Sequence, residues 1–285
     1  MENKDLRYII NNRITSLPTL PTVITNILTL VQKSSSSARD VAAYIAQDQA
    51  ISSAVLKIAN SAYYNLSGKV EAIDRAVVVL GFETVKNLAL GTSVFSTLRS
   101  DKEGVFDREG FWIHAIGVGT AANMVSKEIL KVSDPSFFVS GLFHDLGKIV
   151  FDRYLNEEYM PLIKQAKEEG KPLHSLEKGV FGLNHADVGS MLLNRWKIPP
   201  PIIHRLKYHH NLEPCPAEYL REAAVTVVAN YLCHLKNIGL SHDPEINLSE
   251  TAFRSLQIKP DHLVQLGEKL EEMRDKINSF VQAMQ

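Results

Sequence analysis

The amino-acid sequence predicts an all-α protein, and three observations carry that expectation. Apolar residues recur at helical spacing, near 3.6 residues, through almost every segment from residue 17 onward. The one candidate for a short buried strand, Val77 to Val79, has flanks that keep the helical period and no neighbouring strand to pair with. The breaks between apolar stretches carry Pro, Gly, Asn and Ser, which open and close helices.

Taken in order, Pro18 and Pro21 in LPTLPTVI open an amphipathic helix through Val23, Ile24, Ile27, Leu28, Leu30 and Val31, which the polar run Lys33 to Ser37 ends. Helices are expected next over Ala38 to Ala46 and Gln49 to Ala62, where Ile51, Val55, Leu56, Ile58 and Ala59 share a face. The loop Tyr63 to Gly68 leads into helices over Ile73 to Leu80 and Thr84 to Phe95, broken at Gly81. Arg99 to Gly110 is charged and marked by glycine, so it reads as a boundary too short to be a free linker. Beyond it, Phe111 to Val132 carries His114 together with Gly117, Gly119, Ala121 and Ala122, small residues that admit another helix closely. Single helices are expected over Phe138 to Tyr154 and over Ser175 to Trp196, the latter with His185 near its middle and a charged amphipathic piece, Glu157 to Gly170, between them. Lys197 to Pro201 stops that run and presets a helix carrying His204, His209 and His210. Glu218 to Asn237 is a further helix, and Asp261 to Met284 reads as one amphipathic helix whose role is packing or a homodimer seam.

Composition narrows the function. The chain has 285 residues, 45% of them hydrophobic, enough for a sizeable core. Thirty-one basic against thirty-two acidic side chains leave no global field that would draw it to nucleic acid or membrane. The amino-terminal stretch MENKDLRYIINNR lacks the apolar core of a signal peptide, so a soluble cytoplasmic protein is expected. Cys215 and Cys233 cannot form a disulfide framework or a cysteine-based zinc site, so a metal ion would have to use His and carboxylate. No phosphate-binding glycine loop, dinucleotide turn, nucleophile elbow or zinc-protease motif occurs.

The stretch FVSGLFHDLGKIVFD places His144 and Asp145 side by side in apolar surroundings, and adjacent helical residues point about 100° apart, so at least one polar head must face the core. A buried carboxylate needs a partner, either a metal ion or an ordinary salt bridge or hydrogen bond. Six of the ten histidines, His114, His144, His185, His204, His209 and His210, are spread over four expected helices, and ligands drawn from several helices converge in a bundle core. His209 and His210 are expected to split, one facing the site and one peripheral. His204 reads as a surface or capping residue. His174, His234, His242 and His262 lie outside the pattern, Asp187 is read as structural, and Asn60 as a side-chain lock on the Ala59 to Ala62 segment.

That order of histidines resembles the HD superfamily of metal-dependent phosphohydrolases. The wider sequence is similar to the HDOD family of HD-related output domains in bacterial signalling proteins. The resemblance rests on Leu17-Pro18 with Pro21, Ile45 and Asp48 in YIAQDQAI, Ala59-Asn60-Ser61-Ala62, AVVVLG at Ala76 to Gly81, Gly141 to Lys148, His185-Ala186-Asp187-Val188-Gly189, Trp196 to Pro199, and Tyr208-His209-His210. It implies an HD-like helical bundle with an N-terminal helical subdomain. The expected divisions are an N-terminal segment at 1–14, an HDOD domain at 15–235 (helical subdomain 15–100, HD-like bundle 101–235) and a C-terminal helical extension at 236–285. It implies metal ligands at His114, His144, Asp145, His185, His209 and His210, for one or two divalent ions, with a transition metal such as Fe or Mn suited to such donors. Lys148 is the one candidate catalytic residue, since its counterpart touches phosphate in HD enzymes, although a solvated lysine is the plainer reading.

Two departures separate the chain from catalytic HD relatives. Asn230 stands where those enzymes end their ligand set with Asp, and Asn211 followed by LEPCP replaces the continuation found in cyclic-dinucleotide hydrolases. An amide oxygen brings no charge to a divalent cation. The expected function is therefore a regulatory output module that binds a protein signalling partner or a nucleotide signal, with no DNA or membrane partner. The competing reading is a metal-dependent hydrolase of phosphomonoesters, nucleotides or cyclic dinucleotides.

Overall fold

A computed structural model describes residues 19–31, 38–98, 106–244 and 248–285, and every regular element among them is helical. Leu17-Pro18, the run Lys33 to Ser37 and most of the expected boundary at Arg99 to Gly110 lie outside the described residues. The amino-terminal helices are α1 (Thr22–Val31), α2 (Ala38–Gln47), α3 (Gln49–Ala59), α4 (Ile73–Leu80) and α5 (Phe82–Leu98). Asp48 starts α3 by accepting the backbone N–H groups of Ala50 and Ile51, both at 3.0 Å, and Ile51, Val55, Ile58 and Ala59 form its buried face. Asn60 closes that helix and ties it to the chain ten residues further on. Its amide donates to the Leu56 and Val70 carbonyls at 2.8 and 2.7 Å and accepts from Val70 N at 2.7 Å.

The centre of the molecule is α6 (Arg108–Val125), capped by Asp107 and prolonged by a π-turn at Ser126–Leu130. It crosses α7 (Ser136–Phe143) almost backbone to backbone, and a Cβ on Gly141 would lie 2.5 Å from Gly119 N. Only glycine fits that crossing, and the close approach brings His114 of α6 beside the end of α7. The remaining helices are α8 (Leu146–Tyr154), α9 (Asn156–Glu169), α10 (Leu173–Phe181), α11 (His185–Arg195), α12 (Pro200–Lys207), α13 (Ala217–Leu235), α14 (Glu250–Leu256), α15 (Pro260–Glu272) and α16 (Arg274–Met284).

Three expected single helices are each two. The run Phe138 to Tyr154 breaks at His144 and Asp145, where Asp145 leaves helical geometry at φ −106°, ψ 10°. The run Ser175 to Trp196 breaks at Gly182, and Asn184 and Asp187 form a reciprocal capping box that starts α11 at His185. The tail breaks at Met273. In the first two cases the break places a histidine or aspartate at a helix end, where its direction is set by the turn and not by helical phase.

One contiguous apolar core runs from Leu20 to Met284. The last helix, α16, packs on both α3 and α6. Phe280 lies edge-on to Tyr63 and tilted against Phe138, at 5.0 and 5.5 Å between ring centres, and Ala62 N donates to Ser279 Oγ at 3.2 Å. The tail therefore joins the amino-terminal helices to the central ones. No helix among the described residues is long and apolar enough to cross a membrane.

Candidate metal centre

Asp145 sits at the break between α7 and α8 with both carboxylate oxygens inside the protein, 1% exposed. Its Oδ1 faces Nε2 of His185 at 3.1 Å and Nε2 of His209 at 3.5 Å. Its Oδ2 faces Nε2 of His144 at 3.2 Å. The donor atoms form two groups that share this aspartate: Asp145 with His185, His209 and His210, and Asp145 with His114 and His144. Five of the six predicted residues, from α6, the α7–α8 break, the start of α11 and the turn after α12, thus gather around the sixth.

The local fold fixes each imidazole. His144 and His209 each donate from Nδ1 to the carbonyl three residues back, Gly141 at 2.7 Å and Leu206 at 2.6 Å, which leaves both Nε2 lone pairs aimed at Asp145 with no donor among the described residues. A buried carboxylate facing acceptor nitrogens is unfavourable unless a proton or a cation lies between them. His185 is held by Glu177, whose Oε2 accepts from both its backbone N (2.8 Å) and its Nδ1 (2.7 Å), while Tyr159 donates to Oε1 at 2.9 Å. This carboxylate-to-histidine arrangement is the usual outer support of a metal-binding imidazole. Burial pulls the His185 pKa down, but Glu177, helped by Asp145, outweighs it and raises the value to about 9. A proton on His185 therefore stands where a cation would otherwise sit.

His209 and His210 both turn inward, contrary to the expected split. They lie in the turn after α12, so the 100° helical step does not apply, and Nε2 of His210 comes within 2.6 Å of Nε2 of His185. Burial lowers the His209 pKa to about 4 and that of His210 well below its ordinary value. His174, outside the sequence pattern, stacks on His210 at 4.1 Å.

His114 is different, because both of its nitrogens have protein partners. Nδ1 lies 3.1 Å from the Ile238 carbonyl and Nε2 lies 3.0 Å from the Asn230 side chain. Burial, reinforced by the neighbouring His144, holds His114 neutral with a pKa well below the ordinary value. A neutral ring that donates to Ile238 must accept at Nε2, so the Asn230 amide presents its NH2 there.

Lys148 is not solvated. It is fully buried, and its ammonium touches Asp145 Oδ2 at 2.8 Å, Asp243 Oδ2 at 2.7 Å and the Ser241 carbonyl at 2.7 Å. Burial alone would lower its pKa, but Asp145 and Asp243 raise it above the ordinary lysine value. Against the opposing effect of burial, Lys148 holds the Asp243 carboxyl down to about 2, and His144 with Lys148 holds Asp145 well below the carboxylate range. Glu177 and Asp243 had no sequence signal. Glu177 is a single acid within an expected helix, and Asp243 lies 95 residues from Lys148 in the segment expected to be a mere extension. Asp187 serves the capping box, and His204 stacks between Tyr208 and Tyr219 on the surface.

Beside the cluster is a cavity of about 330 Å³ lined by His114, Tyr231, His234 and Asp243 among others. His144, Asp145 and His185 are at most 1% exposed.

Helical layers enclosing a histidine and aspartate cluster define the HD type of helical protein. More narrowly, the chain belongs to the HDOD domain family, whose profile matches residues 17–212. An uncharacterised protein of Treponema pallidum (strain Nichols) is 29% identical over 224 residues, 78% of this chain, and the chain spans 43% of that relative's length. Among solved structures, an HDOD domain protein of unknown function from Geobacter sulfurreducens superposes with a TM-score of 0.79 at 22% identity, over 100% of this chain and 99% of its own. A protein of Shewanella amazonensis provisionally assigned as a phosphohydrolase gives 0.78 at 22% identity, covering 97% and 98%. One from Marinobacter aquaeolei provisionally assigned to signal transduction gives 0.77 at 18%, covering 99% and 66%. At these identities the three structures establish the shared fold.

Proposed function

We propose that this chain is a regulatory output module whose histidine and aspartate cluster holds one divalent cation as a structural and signalling element, without hydrolysing phosphate. The observation that carries this reading is the Lys148 ammonium on Asp145 Oδ2. A built-in cation already occupies the side of Asp145 that a second metal ion would need, and Asp243 and the Ser241 carbonyl hold it there.

Asp145 Oδ1, His185, His209 and His210 would hold the ion, with His144 facing the other carboxylate oxygen. His114 supports the cluster from Asn230 and Ile238. Charge agrees with a single ion. Three buried carboxylates, Asp145, Glu177 and Asp243, face one ammonium, so with neutral imidazoles one divalent cation makes the cluster neutral. Such an ion in an open site would acidify water and polarise a phosphoryl oxygen. Here Asp145, His144 and His185 are closed off, and the cavity is bordered by His114, which already has partners at both nitrogens. The regulatory partner would be a protein or a nucleotide signal in the cytoplasm.

A panel of phosphomonoesters, nucleotides and cyclic dinucleotides, offered to protein reconstituted with Mn²⁺ or Fe²⁺, tests the reading. No turnover above that of the His144→Ala variant is expected. Turnover that depends on both metal and His144 would establish the hydrolase instead.

A further inference from the structure

A second built cavity lies away from the histidine cluster, in the cleft where α5 meets α6 and the start of α7. It measures about 280 Å³ and shares none of its lining with the cluster. Its aromatic walls are Tyr63, Tyr64 and Phe138, its polar lining includes the amides of Asn87 and Asn123 with Thr84 and Ser133, and Lys127, an exposed residue, also borders it.

The two amides are the unusual feature. Asn87 is only 5% exposed, and among the described residues its Nδ2 has no hydrogen-bond acceptor; Oδ1 of Asn123, which lines the same cavity, has no donor among them. Leaving a buried polar group unpaired costs about 1–3 kcal/mol, so a sequence that keeps two such groups facing one void is expected to pair them with something. They do not pair with each other. An unmet donor and an unmet acceptor lining one cavity match a planar ring that offers both an acceptor and a donor at its edges.

The aromatic walls are held rigidly. Thr120 Oγ1 donates to the Ile116 carbonyl at 2.8 Å and so accepts from the Tyr63 hydroxyl at 3.1 Å, which fixes Tyr63. Tyr64 lies edge-on to Tyr63 at 5.0 Å, and Phe280 of the last helix touches both Tyr63 and Phe138. A flat apolar-faced ring with a polar edge suits such walls, and the rim lysine suits an attached anion. The volume is at the lower end of small-ligand cavities, about 300 Å³, which favours one ring system over two.

We propose that this cleft binds the base of a nucleoside monophosphate, with Asn87 and Asn123 reading its edge and Lys127 meeting its phosphate. Because Phe280 braces two of the walls, occupancy couples to the seating of the carboxy-terminal helix. The site does not depend on metal in the histidine cluster.

Isothermal titration of the full chain with AMP, GMP, CMP and UMP, and with the matching nucleosides, tests this. One of the four monophosphates is expected to bind at one per chain. Asn87→Leu, nearly isosteric, should weaken it by about tenfold or more while leaving the ligand-free melting temperature unchanged or higher, because the orphan donor is gone. Should that variant fail to fold, Asn123→Leu reads the second amide with the same expectation. Lys127→Ala should weaken the monophosphate and not its nucleoside, and His144→Ala should change nothing. Binding by none of the four would show a cleft that holds water only and would overturn the proposal. So would binding lost in His144→Ala but kept in Asn87→Leu, which would move the nucleotide to the histidine cluster.

Discussion

Lys148 is the residue on which the molecule's chemistry turns. Its four-carbon stem could have lain along the surface with the ammonium in water, the usual behaviour of lysine. Instead the break at Asp145 turns α8 inward, and the ammonium meets two carboxylates within 2.8 Å. Removing one partner of a buried ion pair leaves the other uncompensated, at about 3–5 kcal/mol. Lys148→Met should therefore destabilise the metal-free protein by about that amount in urea titration, and added Mn²⁺ should recover part of it by taking the vacated side of Asp145. A variant as stable as the parent would show that the ammonium is not needed there. His234 supplies a pH signature. Burial, only partly offset by Asp243, lowers its pKa to about 4 from 6.5. A neutral imidazole in the folded state contributes stability that is complete above pH 6.5 and is lost as pH falls toward 4. Within that window each such group adds about 1.4 kcal/mol per pH unit to the slope of stability against pH. His234→Leu should reduce the slope by about that much, measured by urea unfolding between pH 6.5 and 4.5; an unchanged slope would contradict the assignment.

Among the elements, the helices were legible and their interruptions were not. Periodicity near 3.6 located nearly every helix, because burial of one face is what most of these helices are for. The breaks at 144–145 and 182–184 were missed because the apolar pattern continues across them. The local signals were Asn184 with Asp187 three residues later, a capping-box spacing, and Gly182, which adopts φ +73°. The clustered histidines were legible by residue type and by family resemblance, whereas Glu177, Asp243 and the burial of Lys148 depend on contacts between segments distant in the chain. Gly147 marks the tightest joint at the site. A Cβ there would lie 2.0 Å from the His185 carbonyl oxygen, a backbone atom that cannot swing away. Gly147→Ala should cost at least the ~1–3 kcal/mol typical of overpacking and loosen His185 from Asp145. Gly179→Ala, where a Cβ in α10 meets no described residue within 4 Å, should be neutral or stabilising. Equal melting temperatures for the two variants would refute the close crossing of α8 and α11.

At the scale of the whole molecule, one core connects amino-terminal helices, central bundle and carboxy-terminal tail, so the cluster and the distant surfaces belong to one mechanical unit. The tail, expected to serve packing or a homodimer seam, packs on α3 and α6, and the segment leading into it supplies Ile238, Ser241 and Asp243 to the cluster. A regulator needs such a connection, because an ion at Asp145 can influence a partner only through elements that share its anchor points. The proposed function stands on a single divalent ion at that aspartate. Elemental analysis by inductively coupled plasma mass spectrometry, after reconstitution with Mn²⁺ or Fe²⁺ and extensive dialysis, measures it directly. One ion per chain in the parent and none in Asp145→Asn or His209→Ala is the predicted result. Protein that retains no ion, or retains it equally in both variants, would contradict it.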